Sequence, residues 1–293
     1  MKARWASALA LLPLVGPPSA HAQTATFSTK LEAVRVDALV TDKGQVVPGL
    51  RPSDFEVLDN RIAQQVDLVS FDEIPLNVIL ALDMSQSVSG ERLTHLQNAS
   101  RALLDGLKSE DRAALLTFSH MVVVREELTH EIARVRAAID EVEPLGDTAL
   151  IDGVHAAMVL ESLEVGRSLL IAFSDGIDTS SWLSPEKVLE TAKRSDVVVY
   201  AVSVRGTGKD EFLRDLADQT GGATVEIEST KDLSATFVRI LEEFRHRYLV
   251  SFSPRGVTAE GWHRLEVRVK NRRVTVKARP GYFGAARTTG NGQ

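Results

Sequence analysis

A carboxylate and two hydroxyls at alternate positions are the side chains in this sequence whose types and spacing best suit chemistry. Asp83, Ser85 and Ser87 directly follow an apolar run at residues 78–82. In an extended or gently turning segment, residues two apart point the same way, so these three side chains converge on one spot. An all-oxygen cluster suits a hard cation such as Mg²⁺, Mn²⁺ or Ca²⁺. The alternative is ordinary turn chemistry, with Ser87 or Ser89 capping the next helix.

The surrounding elements decide between these interpretations. The run at residues 78–82 predicts a strand buried on both faces, as in a parallel sheet. Two later strand–helix junctions also carry oxygen side chains, because Thr148 opens a helix and Asp175 follows the apolar strand at residues 169–173. Ligands of open α/β sheets bind beyond the carboxyl ends of the strands. The recurrence of oxygen ligands at these junctions favours the metal site.

Strands and helices alternate from residue 75 to residue 244. The alternation predicts a doubly wound, mostly parallel sheet with helices on both faces. The strands at 111–118 and 121–125 are predicted to form a hairpin at a sheet edge, with His120 as a turn residue rather than a ligand. Helices are predicted at about 89–108, 131–142, 210–219 and 231–244, and Ser184 followed by proline predicts another helix start.

The two flanks of this region have a different pattern. Apolar and polar residues alternate at 31–42, 56–60 and 65–71, and again at 247–252, 263–269 and 274–278. Neither flank is large enough for a core of its own. The hypothesis is one small antiparallel β-sandwich, built from residues 27–73 and 245–283, into which the α/β domain at 74–244 is inserted. Residues 284–293 are predicted to be a disordered tail.

The first 22 residues predict a secretory signal peptide. A basic start precedes an apolar stretch at 5–15 and a small-residue cleavage site at 20–22, which would place the cut before Gln23. The alternative is an uncleaved anchor, but the stretch is shorter than the ~20 residues that span a bilayer. The chain is therefore expected to be exported, to the periplasm or beyond, with no membrane span in the mature form.

Composition excludes several classes of function. The 293 residues carry a net charge of −6, which argues against nucleic acid as a partner because phosphate binding needs a basic surface. There is no cysteine, so disulfides, thiolate metal sites and a cysteine nucleophile are excluded. The 44% of hydrophobic residues is typical of a globular protein.

The order of these site residues resembles that of the von Willebrand factor type A (VWA) domain. The metal-ion-dependent adhesion site of that family reads Asp-x-Ser-x-Ser, then Thr, then Asp. The resemblance covers about residues 75–244. The flanking segments at 55–59 (Phe-Glu-Val-Leu-Asp) and 279–283 (Arg-Pro-Gly-Tyr-Phe) resemble those of secreted bacterial proteins of this type.

The resemblance implies a role for each site residue. Ser85, Ser87 and Thr148 would bind the ion through their hydroxyls, while Asp83 and Asp175 would act directly or through water. The expected ion is Mg²⁺, with Mn²⁺ or Ca²⁺ as alternatives, since six oxygens including water satisfy Mg²⁺. An exchangeable position would accept a carboxylate from a partner protein. The implied function is an exported, non-enzymatic, metal-dependent adhesion or assembly module.

One departure from the family pattern and two alternative functions accompany this interpretation. The family often has Gly-Gly-Thr where this chain has Gly146-Asp147-Thr148. Asp147 is interpreted as a solvent-facing residue, with tighter ion binding as the alternative, and Asp178 as a loop or cap residue, with support of the metal as the alternative. The alternative functions are a metal-dependent hydrolase and a scaffold with an unused metal site. Ser174 lacks the glycine frame of a nucleophile elbow.

Overall fold

The computed structural model describes residues 33–71, 74–161, 166–206 and 211–284, which belong to one compact unit. The predicted signal peptide, the first residues of the predicted amino-terminal β segment and residues 285–293 of the predicted tail lie outside the described residues. Gly284, which was predicted to begin the tail, is instead the last residue of a strand. Among the described helices, none combines the length and apolar character that crossing a membrane requires.

The described strands flank and alternate with six helices. The strands are β1 (Val34–Asp42), β2 (Gln45–Val46), β3 (Phe55–Asp59), β4 (Ile62–Gln64), β5 (Val66–Phe71), β6 (Leu76–Asp83), β7 (Arg112–Phe118), β8 (Val122–Thr129), β9 (Arg167–Ser174), β10 (Val198–Val204), β11 (Ala223–Ile227), β12 (Tyr248–Phe252), β13 (Gly261–Val269), β14 (Thr275–Lys277) and β15 (Gly281–Gly284). The helices are α1 (Glu91–Asp105), α2 (Ile132–Asp140), α3 (Leu150–Glu161), α4 (Pro185–Ala192), α5 (Glu211–Thr220) and α6 (Leu233–Arg245). Short 3₁₀ segments lie at Pro52–Asp54, Gln86–Val88 and Thr230–Asp232.

The central sheet has six strands in the order β11-β10-β9-β6-β7-β8. Its strands are parallel except for β8, which pairs antiparallel with β7 at one edge. Every residue of β6 and of β9 is buried. Burial on both faces explains why these strands read as uninterrupted apolar runs. The predicted edge hairpin is confirmed.

Helices cover both faces of this sheet. Leu80 and its same-face neighbours pack against α1, α2 and α6, whereas Ile79, Ala81 and their neighbours pack against α3, α4 and α5. Successive strand residues point to opposite faces, so one strand contributes to both cores. The predicted doubly wound α/β fold is confirmed.

The two chain ends form a pair of antiparallel sheets. One has the order β14-β1-β12-β5, with β2 also paired to β1, and the other has the order β15-β13-β3-β4. Inward-facing residues of both sheets share a single apolar core, which includes Val36, Phe55, Val57, Val250 and Phe252. The predicted antiparallel sandwich is therefore present and draws strands from both flanks.

Several element boundaries differ from the sequence prediction. The strands β2 and β4 were not expected, because two or three residues are too short to display a hydrophobic period. Helix α1 is shorter than the predicted 89–108, since Gly90 at φ +70° precedes it and Gly106 follows its last residue. Helix α6 begins at Leu233 because a 3₁₀ turn takes up the residues before it.

Candidate metal centre

The predicted site lies at the carboxyl edge of the central sheet, where the strand order reverses. Strand β6 ends at Asp83, and its parallel neighbour β9 ends at Ser174, directly before Asp175. From β6 the chain continues to β7 on one side, while β9 lies on the other side. The loops that leave β6 and β9 therefore diverge here and create the crevice in which α/β sheets bind ligands.

A chain of hydroxyls connects the first loop to the third. The Oγ atoms of Ser85 and Ser87 lie 3.0 Å apart. Ser87 Oγ donates to Asp175 Oδ1 at 2.5 Å. Two residues 88 positions apart in the chain thus meet through one short hydrogen bond. Ser85 and Asp175 are buried, whereas Ser87 is exposed, so the cluster opens to solvent on the side of Ser87.

Asp83 is a fully buried carboxylate at the base of the cluster. Its Oδ1 accepts from the backbone N–H of Ser85 at 2.8 Å, and its Oδ2 accepts from Ser174 Oγ at 2.7 Å. Burial raises the pKa of Asp83, the charge of Asp175 adds to the rise, and the hydrogen bonds from Ser174 and Ser85 oppose it. A nearby cation would compensate the cost of burying these two carboxylates.

Thr148 is buried and is held by the loop that follows Asp175. Its N–H donates to Thr179 Oγ1 at 3.1 Å, and its carbonyl accepts from the N–H groups of Thr179 and Ser180 at 2.9 and 3.1 Å. A Cβ built on Gly176 would lie 3.5 Å from Thr148 Oγ1. The Thr148 hydroxyl therefore lies beside the residue that follows Asp175.

Backbone hydrogen bonds fix the second loop against the first. The N–H of Gln86 donates to Gly146 O at 3.0 Å, and the N–H of Leu145 donates to Met84 O at 2.8 Å. Gly146 has φ +77°, and a Cβ there would meet His120 Nδ1 at 2.3 Å. Glycine is thus favoured by the backbone conformation, and a side chain at this position would displace the ring of His120. As predicted, His120 lies in the turn between β7 and β8.

The two acidic residues beside the site have different surroundings. Asp147 is exposed, as its solvent-facing interpretation expected. Asp178 lies in the loop after Asp175, where its Oδ1 accepts from Ser181 Oγ at 2.6 Å and from the N–H of Ile151 at 3.3 Å. Ile151 lies in the first turn of α3, so Asp178 caps that helix from a distant part of the chain.

Two further residues, which were not predicted to belong to the site, contact the predicted carboxylates. Ser174 donates to Asp83 and also accepts from the N–H of Gly176 at 3.2 Å. Arg92 in α1 donates from Nη1 to Asp175 Oδ2 at 2.6 Å. The position of Ser174 at the end of an apolar strand was a usable signal. Nothing in the local sequence distinguishes Arg92 from any exposed helical arginine.

Large apolar side chains are exposed on the second and third loops. Leu145 and Ile177, on the second and third loops, are exposed, and Trp182 is 95% exposed. The backbone that carries Trp182 is nevertheless fixed, because its N–H donates to Asp152 Oδ2 at 2.9 Å. Exposed aromatic residues on an ordered backbone are common at protein interfaces.

The donor set fits a hard divalent cation. The cluster offers two carboxylates and three hydroxyls, and hydroxyls with water complete the coordination of Mg²⁺-like ions. The described residues contain no group of three or more His, Cys, Asp or Glu side chains placed to hold a metal.

Comparison with known sequences identifies the family. The model of the von Willebrand factor type A domain matches residues 77–239, more than half of the chain. Inter-alpha-trypsin inhibitor heavy chain H2 of Mus musculus is 26% identical over 201 residues, which are 63% of this chain and 21% of that protein. Heavy chain H4 of Homo sapiens is 27% identical over 175 residues, 54% of this chain and 19% of that protein. The chain thus spans about one fifth of the length of these relatives.

Solved structures share the fold. Proximal thread matrix protein 1 from the mussel byssus, with a zinc-occupied MIDAS motif, has a TM-score of 0.55 at 18% identity, covering 64% of this chain and 49% of that chain. A von Willebrand factor type A protein from Catenulispora acidiphila has a TM-score of 0.55 at 12% identity, covering 89% of this chain and 76% of that chain. The second alignment extends well beyond the residues matched by the family model. The chain belongs to the von Willebrand factor type A domain family.

Proposed function

We propose that this chain is an exported, non-enzymatic module that binds a partner protein through a divalent cation. The observation that carries the proposal is the short Ser87–Asp175 hydrogen bond of 2.5 Å, which joins the loops after β6 and β9. The loop of Thr148 is hydrogen-bonded to both of these loops. The proposed ligands are Asp83, Ser85, Ser87, Thr148 and Asp175, with Mg²⁺ as the expected ion. The zinc-occupied motif of the mussel protein supports a divalent cation at such a site.

Each part of the cluster has a separate task in this proposal. Asp83 and Asp175 supply the negative charge that holds the ion, and their burial keeps water from screening it. Ser85 and Thr148 supply neutral oxygens from inside the cluster. Ser87 lies on the open side, where an incoming group would approach. When bound, the ion supplies a coordination position that accepts a carboxylate oxygen of the partner.

The surface around the cluster supports a protein partner. Trp182, Ile177 and Leu145 are exposed within the loops that carry or adjoin the proposed ligands. Tryptophan is among the side chains that contribute most to the binding free energy at the centre of an interface. The expected partner therefore offers a carboxylate with apolar residues beside it. The chain's net charge of −6 continues to argue against nucleic acid.

The proposal is tested by ion-dependent capture followed by reconstitution. The purified chain is immobilised with Mg²⁺ or with a chelator, and proteins recovered only with Mg²⁺ are identified and purified. Binding of the purified partner should be lost with the chelator and with Ser87→Ala. Trp182→Ala should weaken it at least tenfold, the scale of an interface hot spot. Purified-partner binding that survives both the chelator and Ser87→Ala would contradict the proposal.

A further inference from the structure

We propose that Arg92 is a built-in counter-ion of the metal site, which competes with the bound cation for Asp175. The proposal rests on the proposed function, because it requires the cluster to bind a divalent ion. It adds a residue outside the predicted ligand set and assigns to that residue control over ion affinity.

The geometry divides the carboxylate of Asp175 between two partners. Its side chain is completely buried. Oδ1 accepts from Ser87 Oγ at 2.5 Å, and Oδ2 accepts from Arg92 Nη1 at 2.6 Å. Arg92 Nη1 also lies 3.3 Å from the carbonyl oxygen of Ser87. The guanidinium therefore contacts both the carboxylate and the backbone of the loop that carries the proposed hydroxyl ligands.

Arg92 is the member of this pair that can leave. Its side chain is 49% exposed, whereas that of Asp175 has no exposure. Moving the guanidinium into solvent opens no part of the core, while moving Asp175 would break the loop after β9. The stability of α1 does not explain an arginine at this position. Arg92 lies in the first turn of the helix, where a positive charge is unfavourable for the helix dipole.

Charge explains what this arrangement does. Asp83 and Asp175 carry two buried negative charges, of which Arg92 neutralises one. A divalent cation neutralises both, so when it binds, the guanidinium of Arg92 gives up Asp175 and turns toward solvent but stays beside the cluster on α1. The ion-loaded cluster and the adjoining guanidinium then carry one excess positive charge. Repulsion between the two cations lowers ion affinity. The same excess charge makes the ion-loaded site attractive to a carboxylate. Arg92 thus lowers the affinity of the site for the ion, and it increases the attraction of the ion-loaded site for a carboxylate.

The test is calorimetric titration of Mn²⁺ into the chelator-treated full chain. Arg92→Gln should bind Mn²⁺ about three- to tenfold more tightly than the wild type, which is the scale expected for removing one partly exposed charge. Arg92→Lys keeps the charge and should stay within about twofold of the wild type. Arg101→Gln is the matched control, since Arg101 lies on the same helix but pairs with Asp140 at an exposed position. The Mn²⁺ affinity of this variant should equal that of the wild type.

The sign of the change separates competition from simple positioning. If Arg92 only oriented Asp175, Arg92→Gln would bind Mn²⁺ with equal or weaker affinity, and that result would overturn the proposal. If Arg92→Gln fails to fold, the charge is removed with Arg92→Met instead. This variant should also bind Mn²⁺ more tightly than the wild type, and equal or weaker binding would overturn the proposal. If the wild type itself binds no Mn²⁺, the proposed function fails together with this inference, so the two failures are distinguishable.

Discussion

At the scale of single residues, the site depends on a few hydroxyls that hold carboxylates in place. Ser174 is the clearest example, because its Oγ donates to Asp83 Oδ2 at 2.7 Å and accepts from the N–H of Gly176 at 3.2 Å. It connects the base of the cluster to the loop that carries Asp175. Residues that orient proposed ligands in this way affect ion affinity without touching the ion.

We predict that Ser174→Ala weakens Mn²⁺ binding about 10- to 100-fold, the usual scale for losing an outer hydrogen bond to a metal ligand. Ser168→Ala is the matched control, because Ser168 lies buried on the same strand and its Oγ has no hydrogen-bond partner in the structure. Titration calorimetry of both variants measures the effect. Equal Mn²⁺ affinity in the two variants would show that Ser174 does not support the site.

At this scale, residue type and position along the chain identify the proposed ligands but not every contact of the site. The proposed ligands could be predicted because their chemistry follows from residue type and from position after strands or before a helix. They are Asp83, Ser85, Ser87, Thr148 and Asp175. Their role as ligands stays a prediction. The contact of Arg92 with Asp175 could not be predicted, since the two residues are 83 positions apart and the contact depends on how α1 lies against the loop after β9.

At the scale of elements, the loop between α2 and α3 determines where Thr148 lies. Gly146 is the critical residue of that loop, with φ +77° and with His120 Nδ1 2.3 Å from where a Cβ would stand. Its carbonyl also accepts from the N–H of Gln86 at 3.0 Å. A side chain at Gly146 would therefore strain the backbone, displace His120 and disturb the contact between two ligand-bearing loops.

We expect Gly146→Ala to lower the free energy of unfolding by about 1–3 kcal/mol and to weaken Mn²⁺ binding as well. Gly44→Ala is the control, because Gly44 has a similar φ of +82° but no atom within 4 Å of its Cβ position. Denaturant unfolding and titration calorimetry give the two quantities. If both variants lost the same free energy of unfolding and Gly146→Ala bound Mn²⁺ as the wild type does, backbone strain alone would explain why residue 146 is a glycine.

Elements were predicted well where the hydrophobic pattern is long and poorly where it is short. The buried strands β6 and β9 and the edge hairpin follow from uninterrupted or alternating apolar runs. The strands β2 and β4 have two and three residues, so their pairing depends on neighbours distant in sequence. Helix ends shifted by a few residues because glycines and 3₁₀ turns, rather than periodicity, determine them.

At the scale of the whole molecule, the buried side chain of Arg167 connects the central sheet to the sandwich of the chain ends. Arg167 at the start of β9 donates to Asp37 Oδ1 of β1 from Nε at 2.8 Å and from Nη2 at 2.5 Å. The two side chains are only 2% and 9% exposed. The sandwich itself could be predicted, because neither flank could form a core alone. This ion pair could not, since charged residues are ordinarily assigned to the surface.

We predict that Arg167→Ala lowers the free energy of unfolding by about 3–5 kcal/mol, because it leaves Asp37 buried without its partner. Arg205→Ala is the control, because both side chains of the Arg205–Glu228 pair are exposed. It should lower the free energy of unfolding by at most about 1 kcal/mol. Denaturant unfolding of both variants supplies the comparison. Similar losses in the two variants would contradict a structural role for the buried pair.

The central claim is that the oxygen cluster binds a divalent cation, and thermal unfolding of the chain tests it most directly. Mg²⁺ or Mn²⁺ at one hundred times its dissociation constant should stabilise the folded state by about 2.7 kcal/mol relative to a chelator. Asp83→Asn should abolish this ion-dependent rise in the unfolding midpoint. A wild-type midpoint that does not move, with no ion bound in a direct Mn²⁺ titration, would contradict the account and leave a domain that keeps the fold without the metal site.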